Sequence, residues 1–153
     1  MSKSYRAAVP PPLVFLGASV IGVILNIVWP LPILSDSRIG DLFGLVVALN
    51  GAALAFWALR TMLGAGEQPD PGAPTRKIIK DGPFASTRNP IYLSFALFDL
   101  GVALLLNNLW IILALALLMV YVDIGIVRRE ERYLEQEFGD DYLEYKQSVR
   151  RWI

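Results

Sequence analysis

The stretch LLLNNLWIILALALLMVYVDIGIVRRE, residues 104–130, is an apolar run broken by a pair of asparagines and closed by a block of charge. A helix that crosses a bilayer needs about 20 mostly apolar residues, and residues 109–127 meet that need. The residues before the asparagines, 90–106, form a second, shorter run. With only Asn107 and Asn108 between them, the two must fold back on each other as a tight antiparallel hairpin. Working outward, residues 12–34 and 42–63 supply two further runs, the first ended by Pro30 and Pro32. The fold expected is therefore all-α: a polytopic membrane bundle of four transmembrane helices, followed by amphipathic C-terminal helices.

Composition narrows the chemistry. The chain has 153 residues, 55% of them hydrophobic, with 14 basic and 14 acidic residues. Balanced charge gives no reason to expect a nucleic-acid partner. Cysteine is absent, which excludes disulfides, thiolate nucleophiles and zinc–thiolate sites. Histidine is absent as well, which removes the commonest general base and metal ligand. No metal is expected, so the chemistry must run on carboxylates, Tyr, Asn, Lys, Arg or a bound cofactor.

The basic residues fall on alternate connections. Lys3 and Arg6 precede the first span. Arg60, Arg76, Lys77, Lys80 and Arg88 lie around the second connection, and Arg128, Arg129, Arg132, Lys146, Arg150 and Arg151 follow the fourth span. The opposite connections hold only Arg38. By the positive-inside rule both termini are cytoplasmic, and a bacterial inner membrane fits this compact plan. Lys3 and Arg6 before an apolar run resemble the start of a signal peptide. The run is as long as a full span, however, and no small-residue cleavage site follows a short core, so a retained first helix is expected. Ala18 with Gly22, and Gly40 with Gly44, have the spacing that lets helices pack closely within one bundle.

Candidate functional residues gather at the basic face. In GPFASTRNPIYLS, residues 82–94, Asn89 before Pro90 is a strong helix start, with Asn as cap and Pro at the first helical position. Unpaired N–H groups and the helix dipole there favour an anion, and Arg88 adds a charge. In RREERYLE, residues 128–135, Glu130 and Glu131 project about 100° apart on a helix, so only one can easily face the bundle, the local alternative being a solvated charge face paired with Arg128, Arg129 and Arg132. Asp99 and Asp123 lie within spans, where a charge usually meets a cavity or a partner. Asp123 is placed to share a cavity with Glu130, and Asp99 to pair with Asn26 or Asn50. The connection EQPDPGAPTRKIIKDGPF, residues 67–84, is long for a plain linker. Ile78 and Ile79 imply that part of it tucks back against the bundle, as a lid or cofactor wall or as an ordinary cytoplasmic loop. After Gly139, Asp140 or Asp141 is expected to cap a last helix. Across the whole tail, Leu134, Phe138, Tyr142, Tyr145, Val149 and Trp152 would form an apolar face, on the membrane surface or on the bundle.

The order of these pieces resembles the C-terminal half of the membrane methyltransferases, a group that includes the isoprenylcysteine carboxyl methyltransferases and the phospholipid methyltransferases. The resemblance rests on GPFASTRNPIYLS, two short spans and EERYLEQEFGDDYLEYKQSVRRWI, and covers residues 66–153 of what reads as a single domain, residues 1–153. In the carboxyl methyltransferases the first motif carries a Tyr and a His where Phe84 and Asn89 stand here, whereas the phospholipid enzymes tolerate Asn. The resemblance implies an enzyme that holds S-adenosylmethionine at the cytoplasmic membrane face and methylates a lipophilic or membrane-embedded acceptor. Carried over by position, its cofactor site comprises Arg76, Lys77, Ile78, Ile79, Phe84, Arg88, Asn89, Pro90, Ile91 and Tyr92, with Glu130 or Glu131 as the acidic anchor. One departure stands out. The carboxyl methyltransferases place an Arg about one turn before that anchor, where this chain has Ile126, so a prenylcysteine carboxylate is not the expected acceptor. Two alternatives share the helical plan: an NADPH-dependent membrane reductase of the sterol-reductase type, and a non-catalytic membrane adaptor.

Overall fold

The computed structural model describes residues 10–35, 37–68 and 75–153. Lys3 and Arg6 lie outside them. The described residues are helical, with no strand among them. The helices are α1 (Pro11–Val28), α2 (Ser37–Gly64), α3 (Pro90–Leu105), α4 (Leu109–Tyr121), α5 (Arg128–Phe138) and α6 (Asp140–Ser148). A π-helical segment, Val122–Val127, joins α4 to α5, so that Leu109–Phe138 runs as one continuous helix. A single 3-10 turn, Gly82–Ala85, precedes α3.

Three of these helices are long and apolar enough to cross a membrane: Pro11–Val28, Gly40–Gly64 and Leu109–Phe138. The fourth apolar helix, Pro90–Leu105, has 16 residues, which is about 24 Å at 1.5 Å per residue and short of the roughly 30 Å hydrocarbon core. The first span ends earlier than expected, at Val28 rather than Leu34. Pro30 accounts for this: the residue before it, Trp29, is held out of the helical region at φ −140° and ψ 90°, and Asn26 Oδ1 accepts the Leu31 N–H at 3.0 Å just beyond.

The hairpin expected at Asn107–Asn108 is present, and each asparagine has a distinct task. Asn107 sits at φ +45°, a backbone state that Asn tolerates better than most residues. Its Oδ1 accepts from the Ile33 and Leu34 N–H groups, and its Nδ2 donates to the Leu34 carbonyl, which fixes the α1–α2 connection. Asn108 is fully buried. Its Oδ1 caps α4 by accepting the Trp110 N–H, and its Nδ2 donates to the Gly22 carbonyl of α1.

Helix α2 packs on α3, and α1 packs on both α4 and α3. Phe15, Tyr92, Leu115, Leu118, Val122, Ile126 and Val127 form the core where α1, α3 and the long C-terminal helix meet. Outward faces carry Leu13, Leu16, Ile24, Leu42, Phe43, Trp57 and Leu117, all exposed. An apolar exterior of this extent suits lipid as the surrounding medium. The helices approach closely where side chains are smallest. A Cβ on Gly51 would stand 2.6 Å from the Phe98 nitrogen, and one on Gly22 2.5 Å from Ile111 Cγ1. We expect Gly51→Val to force α2 from α3 at a cost of about 1–3 kcal/mol, the usual range for overpacking. It should be read as a lowered thermal midpoint in detergent, and an unchanged midpoint would show that the contact is not tight.

Candidate active site

One end of the bundle holds a pocket of about 330 Å³. Its walls are the first turn of α3, the stripe Val127, Glu130, Glu131 and Leu134 running from the π-helical segment into α5, the end of α2, and the connection between α2 and α3. Tyr142 and Tyr145 of α6 close it. The last helix therefore lies on the bundle. Tyr142, Tyr145 and Val149 form a small core with Leu134, Phe138 and Ile78, while Trp152 packs on the main core. Gly139, at φ +55°, takes the cap position between α5 and α6, so neither Asp140 nor Asp141 caps with its side chain. The Tyr145 hydroxyl donates to the Phe84 carbonyl at 2.7 Å, which joins α6 to the turn before α3.

Of the twelve residues placed in the cofactor site by resemblance, eleven line this one pocket: Lys77, Ile78, Ile79, Phe84, Arg88, Asn89, Pro90, Ile91, Tyr92, Glu130 and Glu131. Arg76 does not. Its backbone N–H and that of Lys77 both donate to Glu67 Oε1 at 2.9 Å. Glu67 is buried and is a residue that sequence reasoning passed over. It holds the returning connection against the end of α2, so that Thr75, Lys77, Ile78 and Ile79 form a wall.

Four expectations need correction. Asn89 does not cap α3 through its side chain. Its Nδ2 donates instead to the Arg151 carbonyl at 3.0 Å, alongside the Thr87 hydroxyl at 3.0 Å, while the Arg88 N–H donates to the Arg150 carbonyl at 2.9 Å. The doorway motif thus grips the C-terminal segment. Secondly, both glutamates line the pocket. They stand three and four residues after Val127, so they straddle the midline of one helical stripe instead of facing opposite ways. Thirdly, Asp123 is not in this pocket. It pairs with Arg128 at 3.0 Å and Arg151 at 3.2 Å and accepts the Trp152 indole N–H at 3.1 Å. Asp99 does not pair with Asn26 or Asn50 either. Asn26 is turned to Leu31, and Asn50 Nδ2 donates to the Val46 carbonyl of its own helix.

The two glutamates differ in their attachments. Glu131 is buried and fully engaged: Arg88 Nη1 lies 2.9 Å from its Oε1, and Arg151 grips both oxygens, Nε to Oε1 at 2.9 Å and Nη2 to Oε2 at 2.8 Å. Such a two-pronged guanidinium–carboxylate pair fixes orientation as well as charge. Glu130 forms no ion pair among the described residues. It lines the pocket and is half-buried. Burial, and then the neighbouring Glu131 charge, push its carboxyl up to about 7. Burial first, and Glu131 second, also raise the Tyr142 hydroxyl to about 12, so it stays a neutral donor at the pocket edge. Three buried polar atoms of pocket residues make no hydrogen bond: Arg88 Nε, the Tyr133 hydroxyl, and Arg88 Nη1, which lies within ion-pair distance of Glu131 without aligning on it. An orphaned donor of this kind is costly unless something occupies the site. Among the described residues no group of acids could hold a metal ion.

These features define a membrane helix bundle with a polar, partly unsatisfied pocket at one end. A model of the phospholipid methyltransferase family matches residues 40–141, and the chain belongs to that family. It is 41% identical over 63 residues to an uncharacterized protein of Haemophilus influenzae, a match covering 41% of this chain and 100% of that protein. It is 33% identical over 72 residues to a protein-S-isoprenylcysteine O-methyltransferase of Schizosaccharomyces pombe, and 36% identical over 73 residues to one of Saccharomyces cerevisiae. Each of these two matches covers 47% of this chain and 30% of the enzyme, so the likeness spans under a third of the named enzymes' length. No solved structure matches.

Proposed function

We propose that the chain is an S-adenosylmethionine-dependent methyltransferase acting on a lipophilic acceptor that reaches the pocket from the membrane. The observation that carries this is the pairing, in one pocket, of the orphaned Arg88 Nε with the unpaired carboxyl of Glu130. S-adenosylmethionine is a zwitterion with a ribose, and its carboxylate, ammonium and hydroxyls need such a donor and such an acceptor. Arg88 and the α3 N-terminus would hold the carboxylate, Glu130 the ammonium or ribose, and the Tyr92 ring would suit a sulfonium. When bound, S-adenosylmethionine supplies a sulfonium methyl, which a nucleophile takes up as the carbon–sulfur bond breaks and a neutral acceptor sheds its proton.

The chain's own residues contribute alignment and the exclusion of water. Tyr142, Tyr145 and the returning connection roof the pocket, and the Tyr92 face with Phe95 leads from it into the apolar interior. Ile126 is buried in the core cluster and offers no cation, which favours an acceptor other than a prenylcysteine carboxylate. The basic connections support an orientation with the pocket and both termini cytoplasmic, in a bacterial inner membrane.

Calorimetry on the detergent-purified protein tests the reading, with S-adenosylmethionine as ligand and NADPH as competitor. Saturable binding that NADPH does not displace is the expected result. No heat from a folded protein would overturn the proposal, and tight NADPH binding would replace it with a reductase.

A further inference from the structure

A second cavity, about 280 Å³, lies deeper in the bundle between α1, α2 and α3. Pro12 and Phe95 line both cavities, so the two adjoin. The inner one is walled by Phe15, Gly51, Ala52, Ala55 and Ser94, with Leu16 and Phe98 exposed on the lipid side. Its one charged lining residue is Asp99, only 5% exposed. Asp99 Oδ2 makes no aligned hydrogen bond, while the Ser19 hydroxyl stands close enough to donate to the carboxyl. A carboxylate at membrane depth is expensive and ordinarily meets a partner. The fold supplies at most the Ser19 hydroxyl, fewer donors than a carboxylate can accept, and it sets the Asp99 side chain on the wall of a cavity.

We propose that this cavity receives the chain of the acceptor and that Asp99 reads a neutral hydroxyl partway along it. Tyr92, Phe95 and Asp99 form one stripe on α3, leading from the outer pocket to the inner one. Asp99 stands seven residues past Tyr92, about 10 Å along the axis at 1.5 Å per residue. The group it reads is therefore distinct from the methylated atom, which stays at the outer pocket. A hydroxyl fits better than an ammonium, because a second ion this deep would carry its own desolvation cost, whereas a hydroxyl donates to the carboxylate without one. The ligand class is thus a lipid with a mid-chain hydroxyl. The proposal rests on the methyltransferase reading only in calling the occupant an acceptor.

The test is calorimetric and needs no cofactor. Methyl stearate, methyl 10-hydroxystearate and methyl 2-hydroxystearate are titrated, in nonionic detergent, into wild type, Asp99→Leu and Ala55→Phe. Wild type should bind the 10-hydroxy ester at least tenfold more tightly than the other two. Asp99→Leu should erase that preference while keeping binding of the plain ester, and Ala55→Phe, which fills the cavity, should abolish binding of all three. Equal affinity of wild type for the 10-hydroxy and plain esters would overturn the proposal, and this comparison stands whatever the variants do. A preference that survives in Asp99→Leu, or binding that survives in Ala55→Phe, would also overturn it. S-adenosylmethionine titrated into the same samples reports separately on the outer pocket, so failure of one reading is not failure of the other.

Discussion

Replacing Glu131 with Ala is expected to destabilise the fold by about 3–5 kcal/mol, the range seen when one member of a buried ion pair is removed. The Arg88 and Glu131 side chains are 9% and 7% exposed, so water cannot take over from the lost carboxylate. Arg88 would keep a buried charge with the neutral Tyr142 hydroxyl beside it and no carboxylate paired to it. Arg151 would fare better, being partly exposed and still paired with Asp123. Its release matters through the backbone, because the Arg151 carbonyl is where the Thr87 hydroxyl and the Asn89 amide attach. The loss should therefore spread from one ion pair to the whole contact between the doorway and the C-terminal segment. Unfolding free energies in mixed micelles would check this, with the double variant Glu131→Met, Arg88→Met as comparison. Replacing both charges with apolar groups should recover most of the stability, since the cost lies in the orphaned charge more than in the missing bond. A loss below about 1 kcal/mol in Glu131→Ala would place the pair in effective contact with solvent.

This network also shows what was legible in the sequence. The spans were readable because lipid imposes a length and a composition, and the Asn107–Asn108 turn because so few residues leave only a hairpin. That the two glutamates and the Arg-Asn-Pro doorway belong together came from resemblance, since local pattern alone does not bring residue 88 to residue 131. What Asn89 does was hidden, because an Asn before a Pro has a ready local use as a cap, and its actual partner is 62 residues away. Glu67 was hidden for a similar reason: its task is to accept two backbone N–H groups from a connection with no periodicity. The pairing of Glu130 and Glu131 was misjudged by treating a pocket wall as a line. A wall takes in the full width of a helical stripe, so two neighbours either side of its centre both reach it.

Glu130→Gln should leave the fold intact and weaken S-adenosylmethionine binding by about 10- to 100-fold. That corresponds to the roughly 1.5–3 kcal/mol of a hydrogen bond to a charged group. The contrast with Glu131 is built into their surroundings: Glu131 is held by two arginines, whereas Glu130 has no ion pair to lose. The pH dependence follows from its raised carboxyl. With a value of about 7 in the folded protein, the ligand-competent ionised form is the minor one at pH 6 and the major one at pH 8. Affinity should rise about tenfold for each unit of pH below 7 and level off above it. In the absence of ligand the sign reverses. Because the folded value lies above the unfolded one, neutral Glu130 contributes stability that is fully present below about 4.5 and lost as pH rises through 7. Wild type without ligand should thus lose thermal stability across the window in which its affinity grows, and Glu130→Gln should flatten both profiles. A variant that binds as wild type does, with the same pH profile, would remove Glu130 from the site and leave Arg88 and Tyr133 as the pocket's orphaned groups to test.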